Sequence, residues 1–530
     1  MALGTFVVVM DNTIMNVSIQ ALIADLHTTV SGVQSAIALN ALMMAAFVLF
    51  GGKLADVIGM KRTFMTGVVV YIAGSLLASF SPDLLIFITG WCLIQGFGAA
   101  LMLPNVQTII RAVLTGPARA QAYGTMAGAN ALGAIAGPIV GGFLTTYFSW
   151  RWAFRLEVVT LAVILVFHRL IPKDQPLSNR PRIDTLGTVL QASAMITIVL
   201  GILLIADYGF LIARQPVVVA GQELSLFGLG LSPVVFLVGI GTLLLLLFVQ
   251  VERERAQQQK ATLIHLEIFD DADFVSGLRV RAIQVSILAG ILFTIPLFMQ
   301  VSFGITAFAT GVALLPLSIG VIVGAALGAR LGRQRLPRTM VRLGALILTA
   351  GALALVVTVS TSTTPLDLAW GLAILGFGNG LIGSQIVNLT LSSVPPDETA
   401  EASGSNSTLE QVGNSVGVAM LGTLLTVSLS LGLAQELRAS NTISDAVAAQ
   451  AEAKIMQGVE VVSDQQITDA VSAFDPVQAR EILTIYDTAR TNAFRINMLA
   501  VAFGGLVMLV TSRSLPRRTS EEMKFEAAQT

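Results

Sequence analysis

Three acidic side chains interrupt apolar stretches of this 530-residue chain: Asp11 in MDNTIMNVS (10–18), Glu157 in SWRWAFRLEVV (149–159) and Glu410 in GSNSTLEQVGNSVG (404–417). A carboxylate turned toward hydrocarbon is unfavourable, so Asp11 is expected on a polar interior face where it can accept a proton, a packing role being the other reading. Ser18 follows two turns later on the same helical face, and Asn12 and Asn16 form a polar ridge beside it. Arg155, two positions before Glu157, points to a different side of a helix, so Glu157 needs a distant partner or a proton. Asn406, Glu410 and Asn414 recur every fourth residue and make one polar stripe, which fits either a titratable carboxyl or an ion pair. Arg281 is a candidate partner for that pair, while Arg279 is expected to snorkel to the surface. Gln95, Gln284, Gln300, Gln385 and Asn388 are further polar candidates for the same interior.

Two other stretches read as mechanical. In ALGAIAGPIVGG (131–142), Gly133, Gly137 and Gly141 recur every fourth residue beside Gly142, a flat stripe that lets a neighbouring backbone approach closely. Pro138 removes one intrahelical hydrogen bond and permits a kink. In GGKLADVIGMKR (51–62), Asp56 ends an apolar run and is followed by Gly59, Lys61 and Arg62, so a charge-assisted network at a helix end is feasible. An ordinary basic loop is the alternative.

The elements that carry these residues are read from composition. The chain is 54% hydrophobic and 12% charged, with mean hydropathy +0.79, too little charge to cover a soluble surface. Apolar runs of membrane-crossing length are expected near 2–22, 35–57, 63–81, 84–112, 121–147, 153–171, 185–207, 230–250, 275–300, 307–330, 342–360, 367–391, 402–432 and 491–512. Lys61, Arg62, Arg169, Arg253, Arg330, Arg338 and Arg513 fall in alternate connections, which predicts both termini in the cytoplasm. The first stretch, interrupted by Asp11, lacks the pattern of a cleavable signal peptide and is expected to remain as a span.

Sliding the chain by 280 residues aligns QGFGAALMLPN (95–105) with LGFGNGLIGSQ (375–385), pairing Gly96 with Gly376, Gly98 with Gly378, Gly133 with Gly413, Gly137 with Gly417 and Gly142 with Gly422. A shifted match pairs GKLADVIGMKRT (52–63) with GARLGRQRLPRT (328–339). The expected all-α membrane fold therefore has two parallel repeats of six spans around a cavity, able to rock and expose it alternately. The predicted organisation is a bundle over 1–171, linkers with two extra spans over 172–260, a second bundle over 261–432 and 491–513, an extracellular helical insertion over 433–490 and a cytoplasmic tail over 514–530. The repeat maps Glu410 onto Asn130, so both are expected to border the cavity.

The chain resembles the major facilitator superfamily, and its six-plus-two-plus-six layout is similar to the fourteen-helix drug:proton antiporter branch. The resemblance implies that 131–142 is the antiporter motif of the fifth helix, with every fixed position present, and that Asp56, Gly59, Lys61 and Arg62 help latch the two halves on the cytoplasmic side. Val57 and Met60 replace two basic positions of that latch. It implies a coupling role for Asp11 within a D-x-T-x-x-N pattern, although Cys92 stands where the family carries an arginine before Gln95, Gly96 and Gly98. Glu157 replaces an asparagine of the family, and Glu410 replaces a basic residue.

The expected function is alternating-access export of amphipathic small molecules against inward proton flow, in a plasma (inner) membrane and as a monomer. Lipids are an alternative cargo, and a receptor or scaffold on the same fold is the alternative of another class. The proton gradient would take the place of any cofactor: there is no phosphate-binding G-x-x-x-x-G-K-[ST] loop, and His27, His168 and His265 are too scattered to nominate a metal site. A net charge of −1 gives no reason to expect nucleic acid as a partner, and an enzyme reading is poor.

Overall fold

The computed structural model describes residues 1–114, 116–171, 174, 184–209, 211–212, 217–219, 222–224, 230–332, 336–394, 399–440, 443 and 475–517. The first helix, α1 (Ala2–Val17), bends by 71° into α2 (Ile19–Asp25). Then follow α3 (Val30–Ile58) and α4 (Met60–Ser79). The helix α5 is assembled from Leu84–Phe87, a π-helical turn Ile88–Gln95 and Gly96–Val113. The first bundle closes with α6 (Gly116–Tyr147) and α7 (Arg151–Val166). A pair, α8 (Thr185–Leu203) and α9 (Pro233–Gln257), precedes the second bundle. That bundle contains α10 (Ala272–Phe303), α11 (Ala307–Ala313 continued by Leu315–Leu331), α12 (Pro337–Thr358), α13 (Ala369–Ser392), α14 (Thr399–Ala439) and α15 (Pro476–Thr511).

Local chemistry sets many of these starts. Thr29, Asp83, Asp184, Asp271 and Thr306 each accept a hydrogen bond from a backbone N–H three residues on, satisfying a donor that the first helical turn leaves free. Ser232 caps α9, with Pro233 at the first helical position, where its missing N–H removes nothing. Gly59 separates α3 from α4 at φ +104°, a conformation open to glycine.

Among the described residues, twelve helices are long and apolar enough to cross a membrane, and the bent α1–α2 pair makes a thirteenth. The expected span 153–171 is helical over only 16 residues, Arg151–Val166, and falls below that length. The described parts of 433–490 prolong α14 to Ala439 and begin α15 at Pro476; 441–442 and 444–474 lie outside the described residues, as does 518–530 of the expected tail. The shifted self-match runs into 333–335, also outside them.

The 280-residue repeat has a structural counterpart. Gly98 leaves room for Tyr71 of α4 and Gly378 for Leu348 of α12. Gly137 faces α1 at Thr13 while Gly417 faces α10 at Ser286. Gly142 and Gly422 turn outward instead, Gly142 against Ala307 of α11 and Gly422 against Gln34 of α3. Equivalent glycines therefore serve first within each bundle and then across the seam between them. Helix α8 packs on α9 and, through the bond from Gln191 to the Ala45 carbonyl (3.3 Å), on α3.

Candidate functional site

Asp11 and Glu157, 146 positions apart by sequence number, come together inside the first bundle. Asp11 projects from α1, and the indole N–H of Trp91 donates to both its oxygens, at 3.0 and 3.2 Å. Trp91 and Gln95 sit on the π-helical turn of α5, whose greater number of residues per turn brings residues four apart closer to one line. Glu157 projects from α7, and its Oε2 accepts from the Ser75 hydroxyl at 3.2 Å and from Gln95 Nε2 at 3.4 Å. The Ser75 hydroxyl also lies 3.1 Å from Gln95 Oε1, so its single proton serves either acceptor.

The two carboxyl groups are neighbours, and Tyr71 completes the enclosure. Glu157 Oε1 and the Tyr71 hydroxyl have no hydrogen-bond partner among the described residues. An ionised carboxylate only accepts, so two facing carboxyls form a hydrogen bond only with a proton between them. No described cation joins them: Arg155 lies over Phe80 and Trp152, while Arg151 pairs with Asp25 at 2.7 Å. Cys92, in place of the family's arginine, is buried with its thiol 3.1 Å from the Ala36 carbonyl.

The interior face that holds Asp11 and Glu157 lies inside the first bundle and not between the two bundles. Asp11 is 2% and Glu157 0% exposed, and every partner belongs to α1, α4, α5 or α7. Buried carboxyls settle where donors are available, and Trp91, Ser75 and Gln95 supply them inside the bundle. Asn12 is half-buried, while Asn16 donates to the Asn12 carbonyl at 2.9 Å and leaves its own Oδ1 without a partner.

The second bundle carries a different cluster. Arg281 Nη2 pairs with Glu410 Oε2 at 2.8 Å, and Nη1 donates to Gln284 Oε1 at 2.9 Å. Gln284 passes its amide on to Asn379, at 3.3 Å from the carbonyl and 3.2 Å from Oδ1. Glu410 is therefore ion-paired, the second of the two alternatives its stripe left open. Asn414 donates to Gln411 at 3.2 Å, Asn406 keeps an unpartnered Oδ1, and Arg279 is exposed. Gln300 reaches across to the Val17 carbonyl (2.8 Å) and Gln385 holds the Gly328 carbonyl (2.8 Å), both backbone ties; Asn388 is also partnered.

The loop stretch 51–62 divides its labour differently from expectation. Lys61 N and Arg62 N donate to Asp174 at 2.8 and 3.2 Å, and Lys61 Nζ reaches the Ile171 carbonyl at 2.5 Å, so these residues close the first bundle's own end around Gly59. The bridge between bundles is Lys53 to Glu401 at 2.8 Å, with His265 Nδ1 2.7 Å from the other Glu401 oxygen. Asp56 lies within electrostatic reach of both Lys53 and Glu401. Lys53 was visible within the quoted stretch as a cation in the last turns of an apolar helix, yet nothing local pointed it at residue 401.

The glycine helix behaves as its spacing predicts. Gly133, Gly137 and Gly141 lie against Phe6 and Val9, Thr13, and Ile14 of α1. At the end away from the basic loops, Gly311 of α11 seats against the Pro138 carbonyl, and Thr146 accepts from Phe308 N at 3.0 Å. On the same side, Gln34 of α3 bonds the Val418 and Ala419 carbonyls of α14 at 3.2 and 3.0 Å. Toward the basic-loop end, Gly124 and Gly128 of α6 face open space. Among the described residues the bundles thus meet between α6 and α11 at one end, while toward the other these glycines of α6 have no neighbour.

A fold of this kind is shared with solved transporters at low identity. A bacterial homolog of the human lysosomal transporter Spinster, inward-facing and unoccupied, superposes with TM-score 0.60 at 13% identity, covering 97% of this chain and 96% of that one. A D-xylose-proton symporter gives 0.56 at 12%, covering 97% and 96%. Sequence relatives are closer. A probable actinorhodin transporter of Streptomyces coelicolor is 28% identical, covering 97% of this chain and 90% of that protein. The puromycin resistance protein pur8 of Streptomyces alboniger is 29% identical over 81% of each. The tetracenomycin C resistance and export protein of Streptomyces glaucescens is 25% identical over 80% and 74%. With the duplicated bundles, the motif helix packed on α1, and a match to the Major Facilitator Superfamily model over residues 1–418, the chain belongs to that superfamily, as a multi-pass membrane transporter and not an enzyme.

Proposed function

We propose that the protein exports amphipathic small molecules of the drug and antibiotic class by alternating access, driven by protons moving inward through the Asp11–Glu157 pair. The names of its relatives, transporters of actinorhodin, puromycin resistance and tetracenomycin C export among them, support the cargo class. The observation that carries the proton role is the enclosed meeting of two carboxyls with three neutral donors and no described cation, an arrangement that holds together with one proton and repels itself with none. By the positive-inside rule the basic-loop end is cytoplasmic, so the end where Gly124 and Gly128 of α6 have no neighbour faces the cytoplasm and both termini lie there.

Coupling follows from what α1 touches. One face of α1 presents Asp11 to the cage, and another carries Thr13 and Ile14 against Gly137 and Gly141 of α6. Losing the shared proton sets Asp11 against Glu157, and α1 responds by shifting along the glycine stripe. Because α6 also meets α11 through Gly142 and Gly311, that shift reaches the seam between bundles. The test is proton release from purified protein in liposomes on adding a transported dye or drug: stoichiometric release supports the reading, and a pH trace unchanged during transport opposes it.

A further inference from the structure

Arg281 is held but not saturated. Its Nη1 is fixed by Gln284 and its Nη2 by Glu410, whereas Nε is buried without a partner. Nε and Nη2 form one edge of the guanidinium, the edge that takes two oxygens of an oxyanion side by side. Glu410 fills only half of it, through one oxygen. The partners also differ in freedom: the Glu410 side chain is 38% exposed and that of Arg281 13%.

The stripe position of Glu410 indicates where that exposure leads. On α14, Gly413 and Gly417 pack on α10, while Ser415 and Gly422 pack on α3 across the seam. Residues 410 and 414 lie on the arc between those two faces, a polar arc that cannot cheaply meet lipid and so opens between the bundles. Two more polar groups in the immediate network are left over: Asn379 Nδ2 beside Gln284, and Asn406 Oδ1 one turn before Glu410, in residues 2% and 6% exposed. Gln284 stiffens Arg281 from behind and can stay in place while the carboxylate in front is exchanged.

We propose that the Arg281–Glu410 pair is an exchangeable oxyanion site: an amphipathic organic acid binds by placing its carboxylate, enolate or phenolate on the Nε–Nη2 edge of Arg281, displacing the side chain of Glu410 into the opening. Nothing covalent changes; one anion replaces another on a fixed cation. Glu410 acts as the resident occupant, which keeps Arg281 neutralised when no substrate is present. The inference rests on the transport reading above and narrows its cargo to molecules that pair an acidic oxygen with an apolar body.

The test uses full-length protein in liposomes with an imposed proton gradient and two dyes of opposite charge, fluorescein and ethidium. Wild type is expected to accumulate fluorescein; Arg281→Gln lowers the fluorescein-to-ethidium transport ratio about tenfold, as expected for loss of a charge-assisted pair. Arg281→Lys, which keeps the charge but not the planar edge, gives an intermediate ratio. Glu410→Gln, a weaker competitor, lowers the fluorescein concentration needed for half-maximal rate. The double variant Arg281→Gln/Glu410→Gln, which leaves no unpaired buried charge, keeps the low ratio. A ratio in Arg281→Gln equal to wild type, or a double variant that recovers fluorescein transport, overturns the proposal. Ethidium movement without any fluorescein movement in wild type overturns the proposal and leaves the transport reading standing; movement of neither dye overturns the transport reading itself.

Discussion

A buried carboxyl is defined by its donors, and the Asp11–Glu157 cage has few to spare. Asp11 depends on the Trp91 indole, and Glu157 on Ser75 and Gln95. Replacing Trp91 with Phe keeps the ring among Phe87 and Phe154 but takes the indole donor from Asp11, a loss of about 1–3 kcal/mol readable as a lowered melting temperature in detergent. Glu157→Gln keeps shape and removes one exchangeable proton; driven export is expected to fall about tenfold or more, a coupling loss of ~1.4 kcal/mol or greater, with the fold retained. The individual acids were legible in the sequence because charge inside an apolar run is conspicuous. Their meeting was not, since it depends on how α1 and α7 are phased against α5, and the π-helical turn that presents Trp91 and Gln95 together has no residue signature. Trp91 itself reads as ordinary core. The Arg281–Glu410 bond was legible only as one option, because a helix-opening arginine can equally reach for the membrane surface.

Among the elements, α6 has the least slack. Its glycine stripe lies on α1 closely enough that a methyl group on Gly137 would strike the Thr13 hydroxyl, so Gly137→Ala should destabilise by about 1–3 kcal/mol, and adding Thr13→Ala should restore part of the loss. Thermal unfolding of the two variants decides this; equal melting temperatures would show the contact to be loose. At the seam, Gly311 seats on the Pro138 carbonyl, and Gly311→Leu should hold the two bundles apart at that end. A cysteine replacing Thr423, buried there beside Gln34, should then react faster with a membrane-impermeant maleimide, Cys92 being buried behind it. Apolar length was enough to find most of these helices, and glycine spacing to find the face of α6. Helix ends were harder: α14 and α15 run past their apolar stretches into polar sequence, and α7 stops at Val166, where no strong breaker stands.

For the molecule as a whole, duplication explains why equivalent glycines line both the inner packing and the seam. The bridge from Lys53 to Glu401 ties the bundles at the basic-loop end between α3 and α14, and the bond from the Ser403 hydroxyl to Gln107 at 2.9 Å adds a tie between α14 and α5. Lys53→Glu should therefore slow transport, and the charge swap Lys53→Glu/Glu401→Lys should recover more of the rate than either single change, a difference read directly from dye export. A sequence can show that two halves repeat, but which residues touch across the seam depends on how the halves are turned, and Lys53, Gln34 and Glu401 carried no mark of it. The central claim is that proton movement through Asp11 and Glu157 drives export, and the measurement closest to it is transport by Asp11→Asn and Glu157→Gln in liposomes, compared under an imposed proton gradient and in gradient-free exchange of one dye for another. The account predicts that both variants still exchange dye but no longer accumulate it on the gradient; gradient-driven accumulation at the wild-type level in either would contradict it.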